Sequence, residues 1–283
     1  MSSLLHARNI DFAFGPTSIL NDVTFNIQQG ELVSVLGPNG CGKTTLLKLL
    51  LGLYTPQKGN ILLDGVDIST IDKKQLARKL AYVPQLHNAS FAYKVLDVVL
   101  MGRMPHKSFF SPFSRNDERI AMTALKKVGI AHLAEKPYTR ISGGERQLTL
   151  IARALTQGSS VFVLDEPLNG LDYGNQIKLL EQLHELCREG FTFIKSTHFP
   201  DHALWVADHV IMLKNGHVHA DGAPEEVITH DNLFEIYGAQ VLVTPFEQNF
   251  RICIPEKIRS RLCRSPLLAA HCPISGKPST PPC

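Results

Sequence analysis

The chain has 283 residues, 44% of them hydrophobic and 19% charged, with a formal net charge of +3. That length supports one large or two modest domains with an ample core. The charge is too small to argue for nucleic acid as a partner. No run approaches the ~18 consecutive apolar residues of a membrane span, and the opening Met-Ser-Ser-Leu-Leu-His-Ala-Arg lacks the layout of a signal peptide. A cytosolic protein is therefore expected, and the six cysteines, one of them Cys41 inside a glycine-rich turn, fit a reducing compartment.

In chain order, residues 4–30 alternate like antiparallel strands, with Gln28-Gln29-Gly30 as a turn. Glu31–Leu36 is short and largely apolar, as a buried strand should be, and Thr45–Leu51 starts a helix. Between them Gly37-Pro-Asn-Gly-Cys-Gly-Lys-Thr44 fills every fixed position of the phosphate loop G-x-x-x-x-G-K-[ST]. A strand, a glycine-rich turn and a helix aim backbone N–H groups and a helix N-terminus at one point, an anion site. Gly37, Asn39, Gly40, Cys41, Gly42, Lys43, Thr44 and Thr45 are thus the expected nucleotide-binding residues. Lys43 reaches the β/γ oxygens and the Thr44 hydroxyl ligates Mg2+. The helix dipole is expected to favour a thiolate at Cys41.

Residues 60–68 continue the antiparallel pattern, with a turn at Asp64-Gly65, and Leu80–Pro84 is strand-like. From 87 to 160 the texture is helical, including Val95–Met101 and Asn116–Val128. Val161–Leu164 is a second buried strand, ending in Asp165 and Glu166, and Pro167 stops it. Asp165 is placed to hold Mg2+, and Glu166 to polarise an attacking water as general base. Alternating strand and helix return from 161 to 228. His217 and His219 share one strand face, read as solvated rather than metal-binding. Beyond about 245 the chain is rich in Pro, Ser, Arg and Cys, and a disordered end is expected.

Residues 140–147, Arg-Ile-Ser-Gly-Gly-Glu-Arg-Gln, precede an amphipathic helix and lie about 20 residues before the Asp-Glu strand end. This stretch resembles the signature motif of the ABC (ATP-binding cassette) ATPases. The resemblance implies an α/β fold: a P-loop NTPase (RecA-like) core with an N-terminal antiparallel β-subdomain and an inserted helical subdomain. One cassette is expected over 4–245, its helical subdomain at about 87–160, with a partly disordered extension over 246–283. By the same resemblance Ser142, Gly143 and Gly144 bind a phosphate of ATP, and Gln85 senses Mg2+ and the γ-phosphate. Asp172 belongs to the D-loop, His198 is the switch histidine, and Phe14 stacks on adenine. ATP and Mg2+ are the implied cofactors, with Thr44, Gln85 and Asp165 as the Mg2+ set and Glu166, His198 and Gln85 as the catalytic set.

The chain departs from the family pattern at Phe14, Ile141, Glu145 and Asn169-Gly170, and most of all at Lys195, three residues before His198 in a strand that should be apolar. A buried ammonium is costly, so Lys195 is expected to reach a sheet edge or a carboxylate. Residues 91–106 and Leu171–Gln176 resemble ATPases of importers for iron–siderophore, haem and cobalamin, with a close molybdate/tungstate branch. An exporter ATPase and a non-transport cassette are the alternatives. The implied partners are integral-membrane permease subunits docking near 86–106, a second copy of the chain, and indirectly an extracytoplasmic substrate-binding protein. Nucleic acid is not among them. The implied location is peripheral, on the cytoplasmic face of the cell membrane. Tyr93 and Arg103, polar-tipped, are the expected docking contacts.

Overall fold

The structure, a computed structural model, describes residues 3–85, 92–108, 111–246 and 250–258. The alternating N-terminal residues form β1 (Leu5–Phe14) and β2 (Thr17–Ile27), joined by β4 (Lys58–Leu63) and β5 (Val66–Asp67) in an antiparallel sheet of order β2-β1-β4-β5. The apolar runs form β3 (Leu32–Leu36), β6 (Leu80–Val83), β7 (Val161–Leu164), β8 (Thr192–Thr197), β9 (His209–Lys214) and β10 (His217–Gly222). These make a six-stranded sheet of order β10-β9-β3-β8-β7-β6, parallel throughout except where β10 lies antiparallel on β9.

Both faces of that sheet are covered, which is why its strands read as continuous apolar runs. Phe162 and Leu164 enter one apolar layer with Leu125, Leu150 and Leu183, from three of the helices below. Val161 and Val163 enter the other, with Ile10 and Val23 of the antiparallel sheet. The helices are α1 (Lys43–Leu50), α2 (Lys73–Lys79), α3 (Val95–Leu100), α4 (Arg115–Lys127), α5 (Gly143–Thr156), α6 (Tyr173–Arg188), α7 (Pro200–Val206) and α8 (Pro224–Val227). The expected helical region thus holds α3, a 3-10 segment at Met101–His106, α4 and α5. None of the described helices is long and apolar enough to cross a membrane.

The described residues up to Val227 form one compact unit and those from Ile228 onward another. The second contains α9 (His230–Tyr237), capped by Thr229, and an antiparallel hairpin of β11 (Val241–Phe246) and β12 (Phe250–Pro255). The tail expected to be disordered lies, beyond residue 258, outside the described residues.

Lys195 overturns its expectation. It lies on β8, which is paired on one side with β3 and on the other with β7, so no edge is within reach. It is fully buried, and its Nζ has no hydrogen-bond partner. It shares a strand face with Phe193, on the helix-covered side. Burial pulls its pKa down to about 7. His202 on α7 is buried as well; burial first, then the nearby Lys195 charge, pull its pKa down to about 4.

His209 has the opposite character. Its Nε2 lies 2.6 Å from Asp221 Oδ1 and its Nδ1 3.6 Å from Glu31 Oε2, which ties β9 to β10 and to the entry of β3. Asp221 first, then Glu31, push its pKa up to about 9. His217 and His219 both face outward on β10, and no cluster of three metal-ligating side chains exists among the described residues.

Candidate functional site

The site is built where β3 ends. Gly42 caps α1 at φ 107°, and a Cβ there would press on Leu20 and on the Ile19 carbonyl at 3.2 Å. With no side chain at this N-cap, the first-turn N–H groups of α1 remain available to an anion. Lys43 follows, buried, and folds back so that its Nζ donates to the carbonyl oxygens of Gly37 (2.7 Å) and Pro38 (2.9 Å). Cys41 points the other way, into the apolar layer between the sheets. Burial pushes its thiol up, which overturns the expectation of a thiolate: loss of water outweighs the nearby Lys43 charge.

Asp165 and Glu166 emerge from the end of β7. The Thr44 hydroxyl donates to Asp165 Oδ1 at 3.1 Å. Glu166 sits at φ 43°, in the left-handed region. Its Oε1 lies 3.8 Å from Lys43 Nζ and 3.5 Å from His198 Nδ1. Its Oε2 accepts from Gln85 Nε2 and from Asn169 Nδ2, each at 3.3 Å. Asn39, Gly40, Gly42, Lys43, Thr44, Thr45, Gln85, Glu166, Asn169 and His198 line one polar cleft of about 560 Å3, with Ile19 at its wall. Three stretches far from Glu166 in sequence, at Lys43, Gln85 and His198, therefore converge on its carboxylate, together with Asn169 from its own turn. The oxygen pair of Thr44 and Asp165 is a hard-donor set of the kind a small divalent cation takes.

The remaining expected residues lie elsewhere. Phe14 is 49% exposed on the antiparallel sheet, edge-on to Phe12 and Tyr54. Ser142 and Gly143 are exposed at the start of α5 and do not line the cleft. Ser142 forms a capping box: its hydroxyl accepts from Glu145 N at 3.3 Å and its own N–H donates to Glu145 Oε2 at 2.7 Å. That gives the departure at Glu145 a structural use. Gly144 lies against Asn175, and Asp172 caps α6 by accepting from Asn175 N at 2.9 Å.

Sequence reading missed two contributors. Asn169 entered it only as a departure, not as a donor to Glu166. Ser196 belongs to no motif, and the one signal for it is that a serine inside a buried strand must find hydrogen-bond partners. Arg103 corrects a third reading. Its guanidinium is not a free surface group but a part-buried internal tie: Nε donates to Asp117 Oδ1 at 3.0 Å and a terminal NH to the Thr156 carbonyl at 3.0 Å. Tyr93 is exposed as expected, and Phe91 lies outside the described residues.

A parallel sheet with a glycine-rich turn feeding a helix, and two carboxylates at the neighbouring strand end, define a P-loop nucleoside triphosphatase. Within that class the chain belongs to the ABC transporter family, whose pattern matches residues 20–169. It is 36% identical to the ferric enterobactin transport ATP-binding protein FepC of Escherichia coli, over 84% of this chain and 89% of that one. It is 36% identical to the hemin import ATP-binding protein HmuV of Hahella chejuensis, over 86% and 95%. A solved metal-chelate type ABC transporter in an inward-facing conformation superposes with a TM-score of 0.80 at 32% identity, covering 90% of this chain and 98% of that one. The chain is accordingly an ATP-binding subunit with ATPase activity that powers transport.

Proposed function

We propose that this subunit drives import of a metal chelate, a ferric siderophore, haem or cobalamin, from the cytoplasmic face of the membrane. The relatives named for ferric enterobactin and hemin, together with the metal-chelate transporter, support that class. In this reading the P-loop holds the phosphates of ATP, Lys43 pairs with the β/γ oxygens, and Phe14 offers a ring face to adenine. Thr44 and Asp165 hold Mg2+, with Gln85 beside them. The ion neutralises charge on the phosphates when bound. Glu166 takes a proton from the attacking water, and His198 contributes a polar contact on the same side.

Ser142 and Gly143 are exposed and stand outside the cleft, so they serve the ATP of a second copy, two chains closing head to tail on two nucleotides. A second cleft, of about 430 Å3, lies between α1, α2, the 101–106 segment and α5, lined by Leu53, Leu76, Met101 and Met104 among others. Leu53 and Met104 are 59% and 55% exposed there. Permease subunits dock in this apolar cleft.

The observation that carries the catalytic reading is the convergence of Lys43, Gln85, Asn169 and His198 on Glu166. Glu166→Gln tests it. The variant should still bind ATP and accumulate as an ATP-bound dimer, with hydrolysis reduced by about 100-fold or more. Near-normal turnover would remove Glu166 from its role.

A further inference from the structure

The two acidic residues at the end of β7 share one buried hydrogen-bond partner. Ser196 is 1% exposed on β8. It lies one residue beyond the last β7–β8 register pair, Leu164 with Lys195, so its hydroxyl sits where the neighbouring chain leaves the sheet. Ser196 Oγ donates to Asp165 Oδ1 at 2.8 Å and accepts the backbone N–H of Glu166, also at 2.8 Å. Asp165 Oδ1 takes a second hydrogen bond from Thr44 on α1. A continuous chain results: Thr44 hydroxyl, Asp165 carboxylate, Ser196 hydroxyl, Glu166 amide.

Two features make this chain more than ordinary satisfaction of a buried hydroxyl. Glu166 adopts φ 43°, which strains a residue with a Cβ and persists only where the surroundings impose it. A strand end also leaves its amide unpaired unless a side chain accepts it. Ser196 supplies that acceptor at the strained residue and, with the proton of the same hydroxyl, orients the adjacent carboxylate.

We propose that Ser196 is a positioning residue for ATP hydrolysis: it locks the Glu166 backbone in its left-handed conformation and fixes Asp165 relative to the P-loop, so that both carboxylates meet the nucleotide in register. The proposal rests on the reading of Glu166 as general base. Removing the hydroxyl leaves the Glu166 N–H without its acceptor and Asp165 with one donor fewer. A small displacement of a general base is costly in rate and nearly silent in binding.

The test is Ser196→Ala in the full chain, with Ser196→Thr as the conservative variant and Glu166→Gln measured alongside. In Ser196→Ala, kcat should fall by about tenfold or more while KM for ATP changes by less than about threefold. The Glu166 amide, followed by residue-resolved hydrogen exchange, should exchange about tenfold faster than in the parent protein. Ser196→Thr should restore slow exchange and most of kcat. Parental kcat in Ser196→Ala, with Glu166→Gln inactive, overturns the positioning role and leaves the general base in place. Active Glu166→Gln overturns the general-base reading instead. Unchanged exchange at Glu166 in Ser196→Ala also overturns the proposal, because the amide would then be held by something else. Equal losses in kcat and ATP affinity would reduce Ser196 to a structural residue of the P-loop.

Discussion

Lys195 shows how one residue can work against the fold that contains it. An amine with no partner, buried between paired strands, costs stability in either protonation state. Lys195→Met keeps the length of the side chain and should stabilise the protein by about 2 kcal/mol at neutral pH. The sign of the pH dependence follows from the pKa of about 7 in the folded chain against 10.5 unfolded. Below 7 both states are protonated and the penalty is at its full value. Between 7 and 10.5 the unfolded state binds more protons, so the parent protein gains stability as pH rises. The advantage of Lys195→Met should therefore be greatest below pH 7 and shrink towards 10.5. His209 acts the other way, because its folded pKa of about 9 lies above the unfolded 6.5. Its contribution is complete below 6.5 and lost as pH rises through about 9. Urea unfolding of both proteins at several pH values separates the two: with Lys195 gone, stability between about pH 6.5 and 9 should show the fall due to His209, and only above about 9 the further fall from the buried thiols Cys41 and Cys187. An advantage of Lys195→Met that grows with pH would contradict the burial account.

At the scale of elements, the 101–107 segment is bolted to the far end of the helix that begins at Ser142. Gly102 packs so closely on the Arg153 carbonyl that a Cβ would collide with it. Arg103 bridges Asp117 and the Thr156 carbonyl, Lys107 Nζ lies 2.7 Å from the other Asp117 oxygen, and His106 Nε2 lies 2.7 Å from the Gln157 carbonyl. The Lys107 ammonium, then Ser114, hold the Asp117 carboxyl well below the usual carboxylate range. Arg103→Ala leaves the Thr156 carbonyl and one side of a buried carboxylate unmatched. It should destabilise the protein by about 1–2 kcal/mol in a denaturant titration, and should loosen the helix that carries Ser142. A neutral effect on stability would mean that the tie is redundant with Lys107. Charge reversal at Arg103 would therefore perturb this internal tie.

For the whole molecule, docking is better tested on side chains that the fold does not use. Leu53 and Met104 are exposed, line the 430 Å3 cleft and come from two different elements, the turn after α1 and the 101–106 segment. Replacing either with Asp should leave ATP hydrolysis by the isolated subunit within about twofold. Uptake in cells carrying the membrane subunits should fall by about tenfold or more, as truncation of a central apolar contact does. Unchanged uptake would place the permease elsewhere. Loss of both activities, with the circular dichroism spectrum intact, would mean that the cleft supports the ATP site.

The sequence alone determined what is local. A glycine-rich turn is made by adjacent residues, so its place at Gly37–Gly42, with β3 before it and α1 after it, was legible from spacing and apolar runs. The turn at Asp64-Gly65 is local in the same way. Only the tertiary structure decided what depends on residues far apart in the chain. Lys195 lacks an edge because β3 and β7 arrive on its two sides, and Cys41 is a buried thiol because the turn aims it between two sheets. Arg103 is tied inward because Asp117 and Thr156 come to meet it, and Ser196 reaches Asp165 and Glu166 across a gap of about thirty residues. Spacing fixes where backbone groups point within a turn. The environment of a side chain is set by whichever distant elements pack against it, and no local pattern records those.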